Sequence, residues 1–445
     1  MLGNIRFYIR RARELRATGH FFDAVFARLR AGRANARFNS EQAVGRVYKE
    51  YSADLPVGYT ARKITLRLSV PVLLARPRLA FSDHVVDEQG RTTQTVLALT
   101  TGGFAISRDL GKTWKVVKVE DHPEHRFIQI KDIGQGEFLT QAYPAEHRGS
   151  KIRPLDLLVV NEAGKVLVKH PMHSHRWHGS RSAAIMDGTI MFAEYLSNIA
   201  AKGRRPVDCK VWRSGDRGRT WHVVMEKTGA EIRHFHFLQP RPDHSREWWL
   251  SSGDLPHECH VWVTKDDGDT WDDISRPKRD HIEASGALYK RELFRLTDLA
   301  WLGDEVVWGT DDFMGSAKPP GARIFRSAID SRLKPELVGT GKWHFRNVVD
   351  IGDYLLFLSQ RTNVATAPPE NKKPGIYLMP KQPISGAPAM VHVCDLDAYP
   401  TRDRPGFTFS KASRAAVDGT FFTYRSSEDV FPAGHKILEW NVSFA

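Results

Sequence analysis

An all-β chain built from about seven repeated antiparallel sheets closed into a ring is the fold class that this sequence of 445 residues predicts. Three observations predict it. The octet SGDRGRTW at 214–221 returns as SRDLGKTW at 107–114 and as TKDDGDTW at 264–271. Around the second and third copies the match extends to DCKVWRSGDRGRTW and ECHVWVTKDDGDTW, which align without gaps 50 residues apart, and the first copy stands 107 residues before the second, close to two such units. Between the octets, apolar stretches broken by Gly and Asp recur as hairpins. A period of this length marks a small sheet that must stack on its neighbours to bury both faces, which is the construction of a β-propeller.

Each octet reads as a hairpin turn. A strand ends at the hydroxyl residue (Ser107, Ser214, Thr264), and Asp109, Asp216 or Asp266 can bond the turn amides through its side chain. Gly111, Gly218 or Gly268 can take the positive φ of a tight turn. Trp114, Trp221 or Trp271 then opens the next strand and offers a large apolar surface to a neighbouring sheet. The pattern S/T-x-D-x-G-x-T-W resembles the Asp-box, or BNR repeat, of sialidases and other β-propeller proteins. The resemblance implies a propeller of Asp-box hairpins, with the boxes holding turns at the blade periphery away from any catalytic centre, so the box residues read as structural.

Blades can be counted outward from the boxes. Stretches 126–143, 181–195, 232–254, 293–312, 345–361 and 413–426 read as first hairpins, an inner strand followed by a second, and 96–109 as that of an initial blade. The sum is seven, or six if the first or last unit is incomplete. KITLRLSVPVLLAR at 63–76 reads as the outer strand that closes the ring with the C-terminal blade.

Residues 1–60 differ in kind from the propeller expected over 61–445. Apolar residues near helical spacing, with Arg between them, predict one or two basic amphipathic helices ending at Pro56 and Gly58. Residues 1–80 hold 16 Lys and Arg against 5 Asp and Glu, so most of the net charge of +13 belongs to this segment. It is expected to cap the ring or to meet an anionic membrane surface or polyanion. No apolar run reaches the roughly 18 residues of a membrane-spanning helix. Three cysteines and no signal-peptide pattern make a reducing cytoplasm the default, with membrane association through the helices as its variant. Phosphate-loop, dinucleotide and serine-hydrolase motifs are absent, and nucleic acid is not favoured as a partner.

The start of an inner strand and the end of the second lie at one end of a hairpin, so those positions from all blades converge on one mouth of the channel. The second strands end in Glu194 and Tyr195, Asp254, Asp311 and Asp312, Arg361 and Arg425; the inner strands begin near His175, Arg176, His178, Arg233, His234, His236, Arg295, His344 and Arg346. Carboxylates, tyrosine and arginine facing one space suit glycoside cleavage, where an acid protonates the leaving oxygen and a second group attacks or steadies the oxocarbenium-like centre. Glu194, Tyr195, Asp254 and Asp311 are therefore the acid, base and nucleophile candidates. Adjacent strand residues point to opposite faces, so Glu194 and Tyr195 need a bend to meet one substrate. Arg176, His178, Arg233, His234, His236, Asp312, Arg361 and Arg425 are the expected substrate-binding set, since guanidinium groups bind carboxylates of an anionic oligo- or polysaccharide.

The sialidase resemblance implies the same class of activity. The Phe-Arg-Ile-Pro motif of that family is absent, so fold and glycan preference carry over and sialic acid does not. Two alternatives stand beside the hydrolase: a non-catalytic glycan- or protein-binding scaffold, and a metal-assisted polysaccharide lyase in which His175, His234 and His236 hold Mn²⁺ or Zn²⁺. No cofactor is favoured; a divalent metal is the alternative.

Overall fold

The computed structural model describes residues 47–69, 79–86, 92–100, 102–144, 155–172, 176–177, 181–195, 208–253, 258–275, 293–311, 322–330, 332–341, 344–360, 375–396, 409–412, 416–425 and 436–445. Every named element in them is a β-strand, and the strands form seven antiparallel sheets. Blade I runs Leu79–Val86, Thr92–Thr100, Gly103–Ser107 and Lys115–Lys118, from inner to outer strand. Blade II is Arg126–Asp132, Glu137–Tyr143, Leu155–Asn161 and Val166–Met172. In blade III the inner strand Ala183–Met186 and the short Arg176–Trp177 both pair with Thr189–Tyr195, followed by Cys209–Ser214 and His222–Lys227. Blade IV is Phe235–Pro240, Trp248–Ser252, His260–Thr264 and Asp272–Asp273; blade V is Leu296–Leu302, Glu305–Thr310, Ala322–Ala328 and Glu336–Gly341. Blade VI is His344–Asp350, Tyr354–Gln360, Gly375–Pro380 and Val391–Asp395.

Blade VII closes the ring with both parts of the chain. Phe409–Ala412, Thr420–Arg425 and Lys436–Phe444 supply its inner strands, and Lys63–Ser69 then Val47–Asp54 complete it. Ile64 pairs with Phe444 and Ser69 with Glu439, so 63–69 is the closing strand that its sequence suggested. Two expectations need correction. Val47–Asp54 lies inside the stretch read as helical, yet it is the edge strand of blade VII; the rest of that stretch before Val47 lies outside the described residues. Stretch 96–109 is the second and third strands of blade I, whose inner strand is Leu79–Val86.

Alternation along the second strands sets the packing. In blade I, Leu97 and Leu99 face blade II, whereas Val96 and Ala98 face blade VII. The same division holds for Phe138 against Leu139 in blade II, Phe192 against Met191 in blade III and Trp248 against Trp249 in blade IV. It continues with Trp308 and Val307 in blade V, Phe357 and Leu356 in blade VI, and Phe421 and Phe422 in blade VII. Period-two geometry sends neighbouring side chains to opposite faces, so one apolar run fills two interfaces. Each interface is a separate buried cluster, and together they run round the whole circle.

The octets sit at the turn between third and outer strands, at the end of the blade opposite the mouth. In the second, Ser214 Oγ donates to Asp216 Oδ1 at 2.8 Å and accepts from Gly218 N at 2.8 Å; Asp216 accepts from Thr220 N and Thr220 Oγ1. The other two octets repeat these bonds. Hydrogen bonds from Thr113 hold the Asp109 carboxyl down at about 2. For Asp216 and Asp266 partial burial pushes the other way, but the hydroxyl and amide donors prevail and hold both at about 2. The residue before each glycine, Leu110, Arg217 or Asp267, is also left-handed. Trp114, Trp221 and Trp271 each pack at the interface with the preceding blade. The indole N–H of Trp114 and of Trp221 caps the glycine carbonyl at 3.1 Å, while Trp271 lacks that bond.

Gly218 has φ +81°, and a Cβ there would stand 2.8 Å from Val159 Cγ2 in blade II. Gly218→Ala is therefore expected to lower stability by about 1–3 kcal/mol in a denaturant titration, through backbone strain and overpacking. Gly215→Ala, where nothing lies within 4 Å, should be close to neutral; equal effects at the two sites would refute the account.

Candidate functional site

The convergence expected at the mouth is present in the register. Arg126 pairs with Tyr143, Arg176 with Tyr195, Phe235 with Ser252, Leu296 with Thr310, His344 with Gln360 and Phe409 with Arg425. Near this rim the inner strands of blades II, IV, V and VI each carry one extra residue: Ile128, His236, Thr297 and Arg346. A bulge of this kind releases one residue from the ladder and re-aims its side chain and carbonyl.

Arg181 uses two of the released carbonyls. Its side chain comes from the start of the blade III hairpin, is 2% exposed, and donates from Nη1 to Thr297 O at 3.2 Å and to Arg346 O. Blades V and VI are not neighbours of blade III, so the guanidinium bridges the inside of the ring. A guanidinium can spread its donors over several acceptors at once. Ser182 after it is buried, and Ala183 and Ala184 pack into the interfaces with blades II and IV.

Asp311 is fixed between blades V and VI. His344 Nδ1 lies 2.8 Å from Oδ1 and Arg346 Nη2 donates to Oδ2 at 3.2 Å. Burial would push its carboxyl up, but Arg346, His344 and Arg295 around it hold it well below the usual carboxylate range. A general acid must carry its proton near the working pH. Asp311 is therefore an interblade anion, an arrangement that does not suit the acid among the acid, base and nucleophile roles.

Glu194 and Tyr195 are separated by the alternation of their strand. Glu194 accepts from Lys210 N at 3.0 Å and from Trp212 Nε1 at 2.9 Å, both on the third strand of its own blade. Burial pushes its carboxyl up to about 7 in spite of these donors. Tyr195 instead lays its ring against His234 of blade IV, centroids 4.2 Å apart. The two side chains thus have different surroundings, Glu194 within its own blade and Tyr195 against blade IV.

His234 and His236 are both buried, with their Nε2 atoms 3.0 Å apart. One ring donates and the other accepts at that contact, so it requires at least one neutral imidazole. A Cβ on Gly253 would come within 3.3 Å of His236 Cε1 and Arg295 Cγ, so the glycine makes room for both side chains. Arg233 Nε pairs with the buried Glu258 at 3.2 Å. No third His, Cys, Asp or Glu joins the two imidazoles among the described residues; the one grouping there with metal-ligand spacing is His122, His125 and Asp156, beside the Arg126 and Tyr143 pair of blade II.

Arg176 and Arg425 are placed at the rim by register alone. His175, His178, Asp254, Asp312 and Arg361 lie outside the described residues. Arg181 and Glu258 escaped the sequence reading. Nothing local marks Arg181 as a brace of blades V and VI, or Glu258 as the partner of Arg233.

No protein-family model matches the chain, and no curated protein matches it. Among solved structures it is similar to YCF48 from Cyanidioschyzon merolae, at 11% identity and a TM-score of 0.48, over 84% of this chain and 98% of that one. It is also similar to YCF48 bound to D1 peptide, at 14% identity and a TM-score of 0.44 over the same shares. The WD40 β-propeller domain of Doa1 aligns at 9% identity and a TM-score of 0.41, over 83% of this chain and 96% of that domain. Likeness at these levels carries no argument about function.

The raised pKa of Glu194 has a stability consequence. Between the unfolded value of 4.5 and the folded value of about 7 the native state holds the extra proton, so stability falls as pH rises through that window and levels off above it. Glu194→Gln loses one acceptor for Trp212 or Lys210 but should also lose this slope. Melting curves from pH 4.5 to 8 for both proteins test it; parallel profiles would show that Glu194 does not titrate as described.

Proposed function

We propose that this propeller is a non-catalytic binding module that takes an acidic partner at the channel mouth, an anionic oligosaccharide being the class that the sequence favours. The observation that carries the reading is the internal use of the mouth's reactive groups. Asp311 is held by His344 and Arg346, Glu194 serves an indole and an amide, and Arg181 braces the bulges of blades V and VI. Cleavage needs a free acid and base flanking one bond, roughly 5 to 10 Å apart. Among the described residues of the mouth, Glu194, Glu258 and Asp311 each have internal partners.

Charge supports the choice of partner. Arg233 pairs with Glu258, Arg295 and Arg346 stand around Asp311, and Arg181 lies against the Thr297 and Arg346 carbonyls, so guanidinium groups outnumber these two carboxylates. Arg233 is 28% exposed in its side chain and Arg346 21%, enough for each to meet a carboxylate without breaking its internal pair. Hydrolysis of an acidic glycan is the second reading, favoured by one observation: Glu194 keeps its proton near neutral pH. Contact of the basic residues before Val47 with an anionic membrane surface, in the cytoplasm, belongs to the same proposal and rests on composition alone.

Calorimetry with uronate- and sialate-bearing oligosaccharides, alongside an assay for released reducing ends, separates the readings. Binding is expected to be saturable, weaker in high salt, about tenfold or more weaker in Arg233→Gln, and without product. No binding to any acidic oligosaccharide would overturn the partner class. Released reducing ends that vanish in Glu194→Gln would overturn the non-catalytic reading in favour of hydrolysis.

A further inference from the structure

We infer that His122, His125 and Asp156 form a binding site for a first-row divalent cation, Zn²⁺ foremost, that fastens the connection between blades I and II to the third strand of blade II. Each residue offers one ligand atom, and the three atoms lie within 4.8 Å of one another. Two imidazoles and one carboxylate form a common set for such cations, with a remaining position for water.

Local structure prepares the set. His122-Pro123-Glu124-His125 is a β-turn closed by His125 N donating to His122 O at 3.1 Å, which brings the two rings together at 4.4 Å between centroids. Gly102 N donates to His125 O and Glu120 N to Gly164 O, so the turn is tied at both ends, to blade I and to the outer hairpin of blade II. Asp156 stands on the rigid third strand, paired with Ala142 and Pro171 on either side. His122 Nδ1 lies 2.6 Å from Glu120 O, a contact that only a protonated Nδ1 can make to a carbonyl. That bond fixes the tautomer and leaves the Nε2 lone pair for a cation, the arrangement in which metal-bound histidines are held by a backbone carbonyl. His122 is itself buried, which shields the position from bulk water.

Lys169 is the competing charge. Its Nζ sits 3.0 Å from Asp156 Oδ2, but its side chain is 52% exposed and can swing to solvent when a cation arrives. The ammonium is thus the counter-charge of the metal-free state, and its removal should tighten binding.

The test uses the full chain, stripped with a chelator and titrated with Co²⁺ and then Zn²⁺. One equivalent of Co²⁺ should give a visible absorption band that Zn²⁺ bleaches, and Zn²⁺ should raise the melting temperature. His122→Ala, His125→Ala and Asp156→Asn should each weaken Co²⁺ binding at least tenfold, and Lys169→Gln should strengthen it. Absence of a band and of any thermal shift in the unaltered chain would overturn the inference without recourse to a variant. Binding that survives all three ligand substitutions, or that is lost in His234→Ala, would place the cation elsewhere and overturn it equally.

Discussion

The arrangement depends on one constraint, that a second strand must satisfy two different neighbours with alternate residues. Leu97 and Ala98, Phe192 and Met191, or Trp248 and Trp249 belong to different clusters although they are adjacent in sequence. No blade can be packed independently of the ones on either side. A large side chain on one face is matched by what the next blade presents, as Trp308 shares a cluster with Phe237 and Trp249 of blade IV while Val307 shares one with Phe345 of blade VI. Interiors are packed closely enough for such matching to be felt at the level of single methylene groups. The clusters therefore set the blade spacing, and the blade spacing sets which polar groups meet at the rim.

At the rim the same ring imposes a cost on the backbone and then recovers it. Inner strands crowd toward the axis, and those of blades II, IV, V and VI accommodate this by a bulge at the same level. The freed carbonyls of Thr297 and Arg346 would be unsatisfied in a buried setting, where a lost hydrogen bond costs about 1–3 kcal/mol. Arg181 supplies the donors. Arg346 in turn holds Asp311, so a backbone irregularity, a bridging guanidinium and an interblade ion pair are parts of one network. The partners of Asp311 are therefore invisible in its own hairpin, because they come from the next blade.

The sequence made the repeat legible because each octet concentrates a hydroxyl, a carboxylate, a glycine and an indole whose mutual bonds are local. It hid the left-handed residues Leu110, Arg217 and Asp267, since the turn is held by the aspartate side chain and needs no second glycine. Val47–Asp54 was unreadable for a different reason. At this outer edge of blade VII Tyr51 is buried between exposed Glu50 and Ser52, and the sequence lacks the apolar run that marks the inner strands. The rim positions were legible from hairpin geometry, but their partners were not. Nothing in the immediate sequence of Asp311 announces His344 and Arg346, and no Gly or Pro marks the bulges that re-aim His236 and Arg346.

The seam of the ring is a sheet and not a loop. Lys63–Ser69 lies between Lys436–Phe444 and the edge strand, and Arg62 and Lys63 donate to the carbonyl of Ala445. The contacts that join these strands span almost the whole sequence, and the intervening blades hold the two ends of the chain side by side. Loop-closure entropy grows slowly, about 0.6 kcal/mol for each doubling of length, and stacked blades between the two ends reduce it further. The seam acts as a latch: Ile64, Leu66 and Leu68 dock beside Phe421 and Trp440 and complete the apolar face that blade VII presents to blade VI.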